Sequence, residues 1–184
     1  LMGNQERNIL DKLEAYAPVH MAITLRVLIA LHMGNPKVRW RKLDIKNAYI
    51  NEDMKRLVLV HHPPGYCMYV DSNGDIMYRA LRPGEMAPKT ALTLRKALYG
   101  GMECGRIFWE AFVDWHLAYG FQLIHEDRCY LHYWKSADEW IKFPFHVDDN
   151  AIATSGEELY AQYLKDLQTK FDVEEGPMTS HLGV

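Results

Sequence analysis

The sequence has 184 residues, of which 48% are hydrophobic and 12% aromatic, which excludes a disordered chain and allows one domain with a sizeable core. The net charge of -3 argues against a simple nucleic-acid coat. Sixteen Lys and Arg against ten Asp and Glu fall in residues 1–106, and five against fourteen fall in residues 107–184. This asymmetry fits either a phosphate-contacting surface beside a carboxylate-rich centre or two ordinary solvated faces.

The apolar runs and the cysteine count indicate in which compartment the protein is expected. No apolar run approaches the ~20 residues of a membrane helix, and no signal peptide is expected. The three scattered cysteines are too few for a disulfide framework or a metal cage, and they suit a reducing compartment. We therefore expect an intracellular protein that is not secreted and makes no use of a membrane.

The first predicted elements are a helix and a strand. Apolar residues recur at helical spacing over 20–32, and the breaker run 34–36 ends the helix. Next, Val38 and Trp40 alternate with Arg39 and Arg41, as in a half-buried strand that ends at Asp44. Asp44 and the following Tyr49 are interpreted either as two groups on one surface of a cleft or as a helix-capping Asp with a packed Tyr.

Two polar clusters then contain residue types that bind metals, but the spacing of these residues does not favour a metal site. Adjacent His61 and His62 point to opposite faces of a strand, so we interpret them as structural. The acidic run 71–75 begins like a calcium loop, but Arg82 stands where the closing Glu would be. We predict instead a hairpin turn between strands at 68–70 and 76–78.

The second half predicts a helix over 106–119 with Gly120 as its C-terminal stop, a strand region over 121–134 and a strand over 140–147. Ser155 with the acids that follow has the signature of a capping box, which starts a helix that runs to Phe171.

The acidic pair Asp148-Asp149 lies between apolar residues and predicts a tight β-hairpin with both acids in the turn. Like charges at close range are costly unless a cation or solvent separates them. The pair is therefore either an ordinary polar turn or part of a divalent metal site.

Six segments in this order resemble the reverse transcriptase of copia-type retrotransposons. They are Ala17-Pro18-Val19 with Leu25-Arg26-Val27-Leu28, Leu43 to Asn51, His62 to Tyr66, Leu94 to Gly100, His146-Val147-Asp148-Asp149, and Gly176-Pro177 with Leu182-Gly183-Val184. The resemblance covers nearly the whole chain from about residue 15. It implies an α+β fold, in which residues 1–184 form a single domain with a polymerase palm-like antiparallel sheet packed on helices on one face. It also implies partial fingers, without thumb or RNase H, as in a truncated fragment.

The resemblance further implies a function and a site. The activity would be RNA-directed DNA synthesis, in which two metals assist nucleotidyl transfer to a primer 3′-hydroxyl. Two Mg²⁺ ions, or Mn²⁺ in their place, would be held by Asp44, Asp148 and Asp149. The nucleotide-binding residues would be Ile45, Lys46, Asn47, Ala48, Tyr49 and Arg106. Among these, the Tyr49 ring would lie beneath the incoming sugar and select deoxynucleotides. The partners would be an RNA or DNA template-primer, deoxynucleoside triphosphates and the rest of a Gag-Pol-like polyprotein.

Three departures from the family pattern keep alternatives open. His146 replaces a Tyr, Met102 a Lys and Glu103 a Gln, and Glu103 beside a triphosphate would add repulsion. One alternative is a degenerate or domesticated relic that keeps the fold, with or without nucleic-acid binding, and has no polymerase activity. Another is a two-metal hydrolase of unrelated lineage or a purely structural domain.

Overall fold

The computed structural model describes residues 17–86 and 91–178. Within these ranges the elements are α1 (Ala22–His32), β1 (Arg39–Ile45), a 3₁₀-helix (Ala48–Asn51), β2 (Asp53–His61), β3 (Tyr66–Val70), β4 (Ile76–Ala80), β5 (Ala91–Lys96), α2 (Cys104–Tyr119), β6 (Gln122–Leu123), β7 (Tyr130–Trp134), β8 (Trp140–His146), β9 (Asp149–Thr154), α3 (Glu157–Leu167) and β10 (Val173–Pro177). Helices combined with antiparallel strands confirm the expected α+β class.

Six strands form one antiparallel sheet in the order β10-β1-β9-β8-β7-β6. β1 lies between β10 and β9, and it has apolar residues on both of its faces. Leu43 and Ile45 are buried on one face, whereas Val38, just before the strand, and Trp40 pack on the other. Asp44 belongs by alternation to the face of Val38 and Trp40.

The main core lies between one face of the sheet and the helices α2 and α3. Leu43 and Ile45 from β1 meet aromatic side chains of α2 there, including Phe108 and Phe112. As predicted, α2 ends at Gly120, which adopts a φ of 113° and donates its N–H to carbonyls of the last turn. The helix begins two residues before the predicted start, at Cys104.

A buried histidine links the two core helices. His116 of α2 contacts the Phe112 carbonyl through Nδ1 at 2.7 Å and the Tyr163 hydroxyl through Nε2 at 2.8 Å. Because a carbonyl only accepts, Nδ1 carries the proton and Nε2 accepts from the tyrosine. Burial lowers the pKa of His116 to about 3, so the ring is neutral at physiological pH.

The opposite face of the sheet is partly covered by α1. Leu28 of α1 packs with Val38, Tyr130, Trp140 and neighbouring side chains on this face. The expectation that the helices lie on one face is therefore wrong for α1. The physical reason is that Val38 and Trp40 present a second apolar surface that a helix must cover.

The start of α1 is held by a carboxylate from another part of the chain. Asp127 is 5% exposed and accepts hydrogen bonds from the Met21 N–H and the Thr24 hydroxyl. An acceptor at this position satisfies amides that a helix leaves unpaired at its N-terminus. The tie fixes the start of α1 against the connection between β6 and β7.

The remaining described strands form two smaller antiparallel pairs, β2 with β5 and β3 with β4. The β3–β4 pair confirms the predicted hairpin around residues 71–75. His62 is buried and His61 is exposed, as expected for neighbours that face opposite ways.

Two local predictions are wrong. Ser155 does not cap α3, because its hydroxyl donates to the Asp138 carbonyl and accepts from the Trp140 N–H; the N-cap is Gly156. Helix α3 ends at Leu167, before the predicted Phe171. The chain also forms β10, a strand that the sequence did not predict. The resembling segment 182–184 lies outside the described residues.

None of the helices within the described ranges is both long and apolar enough to cross a membrane.

Candidate functional site

Asp44 and Asp149 face each other across neighbouring strands. The antiparallel register of β1 and β9 pairs Asp44 directly with Asp149. Residues opposed in this way place their side chains on the same face, with Cβ atoms about 4.5–5.5 Å apart. Two carboxylates that are distant in sequence therefore lie side by side.

Asp148 occupies the turn that joins β8 to β9. His146 pairs with Asp149 across the hairpin, so only residues 147 and 148 form the turn. The expectation that both acids lie in the turn is wrong for Asp149, which is the first residue of β9. The Ile45 N–H donates to the Asp148 carbonyl at 2.9 Å, which ties the turn to the end of β1.

The turn is fixed in an uncommon backbone conformation. Val147 has a φ of 52°, in the left-handed region that β-branched residues rarely adopt. Fully buried Asn150 donates from Nδ2 to the Leu43 carbonyl at 3.1 Å and to the Asp148 carbonyl at 3.2 Å. These bonds hold the strained turn against β1, and strain of this kind often accompanies a functional site.

The facing pair belongs to a longer row that crosses four strands. Asp44 is also paired with Glu174 of β10, and Asp149 with His146 of β8. The row therefore reads Glu174, Asp44, Asp149, His146. Sequence reasoning missed Glu174. The alternation of buried Phe171 and Val173 just before it is a signal for a strand.

The electrostatic effect of this row is seen at the Asp44 carboxyl. The pKa of the Asp44 carboxyl is raised, first by burial, then by Asp148, and further by Asp149 and Glu174. Lys42 opposes this rise, and its Nζ lies 3.4 Å from Asp149 Oδ1. The neighbouring acids thus make the Asp44 carboxyl harder to ionise.

Two tyrosines lie next to the acids. The rings of Tyr49 and Tyr99 are 4.5 Å apart between centroids, and Phe108 supports Tyr49 from the core. Burial raises the pKa of both phenols, and the nearby charge of Asp148 raises them further. Tyr99 was not among the predicted site residues.

The segment predicted to bind a nucleotide forms the end of β1 and a tight turn. The side chains of Ile45 and Ala48 are buried, and the Lys46 N–H donates to the Asp172 carbonyl at 2.8 Å. Asn47 adopts a φ of 52° and precedes the 3₁₀-helix. The amides of Ile45 and Lys46 are therefore used in hydrogen bonds within the fold.

Ion pairs are formed by Arg106, which was predicted to bind a nucleotide, and by Glu103. Arg106 donates from Nε to Glu110 Oε1 at 2.7 Å, and Lys55 also pairs with Glu110. Glu103 is 9% exposed and lies 2.7 Å from Arg56 Nε. The negative charge expected to repel a triphosphate is thus compensated by an arginine.

The donor set fits Mg²⁺ in its chemistry. Carboxylate oxygens are the hard ligands that this ion prefers, and a cation would relieve the repulsion that raises the pKa of Asp44. Among the residues that the structure describes, no three His, Cys, Asp or Glu side chains are arranged as a ready metal cluster. Side-chain rotation of Asp44, Asp148 or Asp149 would be needed to bring three donors to one ion.

Comparison with known proteins finds similarity in sequence to a transposon polyprotein. The chain is similar to a retrovirus-related Pol polyprotein from transposon RE1 of Arabidopsis thaliana. The two are 24% identical over 175 residues, which cover 94% of this chain and 11% of the polyprotein. The chain thus spans about a ninth of that relative's length. No family model matches.

A solved structure of telomerase from Candida albicans, in complex with a fragment of telomeric RNA, was also found. It is 14% identical to this chain, with a TM-score of 0.40, and the match covers 96% of this chain and 33% of that one. A likeness at this level carries no argument about function.

Proposed function

We propose that this chain carries the palm and part of the fingers of a copia-type retrotransposon reverse transcriptase, whose activity is RNA-directed DNA synthesis. One observation carries the proposal. The β1–β9 register places Asp44 opposite Asp149, and the Ile45–Asp148 hydrogen bond brings the turn acid to the same place. A purely structural domain has no need to collect three acids from two distant segments.

Asp44, Asp148 and Asp149 would hold two Mg²⁺ ions. When bound, the ions supply the charge that stabilises the attacking and leaving oxygens of an in-line phosphoryl transfer. The protein contributes rigidity, because the hydrogen bonds from Ile45 and Asn150 fix the turn before substrate arrives. With the turn fixed, what ion binding still requires is rotation of the carboxylate side chains.

Tyr49 would form the floor beneath the incoming sugar. Its ring is held between Tyr99 and Phe108, so it has little freedom to move aside for a 2′-hydroxyl. A fixed aromatic at this position favours deoxynucleotides over ribonucleotides. Tyr99 packs against the ring of Tyr49 and so belongs to the same sugar-selecting surface.

The likeness to a Pol polyprotein over 94% of the chain supports a polyprotein origin. A template-primer and deoxynucleoside triphosphates are the partners that this origin implies. The basic balance of residues 1–106, with sixteen Lys and Arg against ten Asp and Glu, suits contact with a phosphate backbone.

The test is primer extension on an RNA template with Mg²⁺, comparing the parent chain with Asp148→Asn. We expect extension by the parent and a loss of about 10²–10³-fold in the variant, as for removal of one electrostatic contributor. The neutral side chain keeps the size of Asp148, and circular dichroism checks that the variant is folded.

The relic alternative predicts a different result. A relic chain would show no extension at any metal concentration, while a labelled template-primer would still bind and raise fluorescence anisotropy. Such a result would replace the polymerase proposal with nucleic-acid binding alone. Failure of both assays would favour an unrelated hydrolase or a structural domain.

A further inference from the structure

On the face of β1 that carries Val38 and Trp40, the open end of the strand and the residue after it alternate lysine and aspartate. Lys42, Asp44 and Lys46 share one face because they are two residues apart. Lys42 Nζ lies 3.4 Å from Asp149 Oδ1 on β9, and Lys46 Nζ lies 3.4 Å from Glu174 Oε1 on β10. Each carboxylate that flanks Asp44 thus has a lysine from the same segment.

We propose that Lys42 is the resident counterion of Asp149, which a divalent cation displaces when it binds. The inference rests on the proposed function, because it takes Asp149 as a metal ligand. An ammonium 3.4 Å from a ligating carboxylate oxygen would repel an incoming cation at short range. One carboxylate cannot fully serve both charges, so metal binding and the Lys42 contact compete.

The surroundings of Lys42 allow this exchange. Its side chain is 35% exposed, against 19% for Asp149. A lysine on a flexible stem can therefore move its ammonium into water, while the shorter carboxylate stays in place. Without the ion, the same lysine reduces repulsion within the row, so it keeps the acids together until a cation arrives.

Lys46 provides a matched control within the same stretch of chain. It carries the same charge, lies two residues beyond Asp44 and has the same distance to its carboxylate. Its partner, Glu174, is outside the proposed ligand set. A general charge effect would make the two lysines equivalent, whereas displacement from a ligand makes only Lys42 matter strongly.

The experiment is calorimetric titration of the full chain with Mn²⁺ at low ionic strength, without nucleic acid or nucleotide. We expect Lys42→Gln to bind Mn²⁺ about two- to fivefold more tightly than the parent, the range that one partly exposed ion pair accounts for. Lys46→Gln should change the affinity less. Lys42→Arg, which keeps the charge, should bind as the parent does.

A second readout separates competition from misfolding. Without metal, Lys42→Gln should unfold at a lower temperature than the parent, and Mn²⁺ should stabilise it more. The gain in affinity should shrink as salt rises, because salt screens a partly exposed pair.

The outcomes distinguish this inference from the proposed function. If Asp149→Asn loses Mn²⁺ binding while Lys42→Gln binds equally or more weakly than the parent, the counterion assignment fails and the metal site stands. If Asp149→Asn and Asp44→Asn both bind Mn²⁺ as the parent does, the metal site fails and the inference fails with it.

Discussion

The β3–β4 and β8–β9 hairpins both carry aspartates at their turns, and they use these carboxylates in different ways. In the β3–β4 turn, Asp71 Oδ1 accepts the N–H groups of Asn73 and Asp75 at 2.8 and 2.9 Å. At the β8–β9 hairpin, Asp148 of the turn and Asp149, the first residue of β9, lie beside Asp44. The first turn satisfies its carboxylate locally, whereas the second adds its charges to those of another strand.

The two turns also differ in which residue type adopts the positive φ. The β3–β4 turn places Gly74 at a φ of 87°, where glycine has no steric cost. The β8–β9 turn places Val147 at a φ of 52° and has no glycine. The contrast teaches that an acidic turn is a candidate site when its backbone is strained and its charges are brought together, and not because it is acidic.

The largest expected difference between the turns is in divalent cation binding. At Mn²⁺ concentrations near 100 times the dissociation constant, a site in the folded state stabilises the protein by about 2.7 kcal/mol. We expect that gain in the parent and in Asp71→Asn, and its loss in Asp148→Asn. Chemical denaturation with and without Mn²⁺ measures it. Equal gains in the two variants would show that the turns are equivalent.

The next effect is on backbone strain. Gly74→Val should destabilise the β3–β4 hairpin by about 1–3 kcal/mol, because valine resists a positive φ. Val147→Gly should change the β8–β9 hairpin by less than about 1 kcal/mol. There, relief of strain is offset by lost packing against the main core and by the backbone entropy of glycine. Amide hydrogen exchange in each hairpin measures both.

A large cost for Val147→Gly would contradict this account. It would mean that the Val147 side chain holds the turn through packing alone and that little strain is present.

Local sequence patterns predicted much of the fold around these turns. Helix α2 follows from apolar residues at helical spacing, and both hairpins follow from polar turn residues that stand between apolar runs. The cap at Ser155 was wrong because its hydroxyl found partners on the β7–β8 connection and on β8. Those partners are far along the chain, so a local capping signature could not reveal them.

The candidate site was less accessible to such patterns. Spacing left Asp44 open between a cleft residue and a helix cap, and only the family resemblance joined it to Asp148 and Asp149. Glu174 and the Lys42 contact with Asp149 depend on strand register, which one sequence does not specify. Strand β10 is short and contains a glycine and a proline, so its alternation was easily missed.

The smallest predicted effect is a pH dependence that reverses with metal. The pKa of Asp44 is raised in the folded chain, so its protonated form stabilises the fold below the unfolded pKa, about 3.8. That contribution is lost as pH rises through the folded pKa. Without metal at neutral pH, Asp44→Asn should therefore be slightly more stable than the parent, by a fraction of a kcal/mol because the group is largely exposed.

The same substitution at Asp71 is the control. It removes an acceptor of two backbone amides and should bring no stabilisation. Adding Mg²⁺ should reverse the order at Asp44, since binding to the folded state stabilises only the chain that keeps its carboxylate. Denaturation curves at pH 4.5 and 7.5, with Mg²⁺ or with chelator, test this reversal. An Asp44→Asn variant less stable than the parent in chelator would mean that Asp44 stabilises the fold by itself, like Asp71, and the contrast between the two turns would not extend to β1.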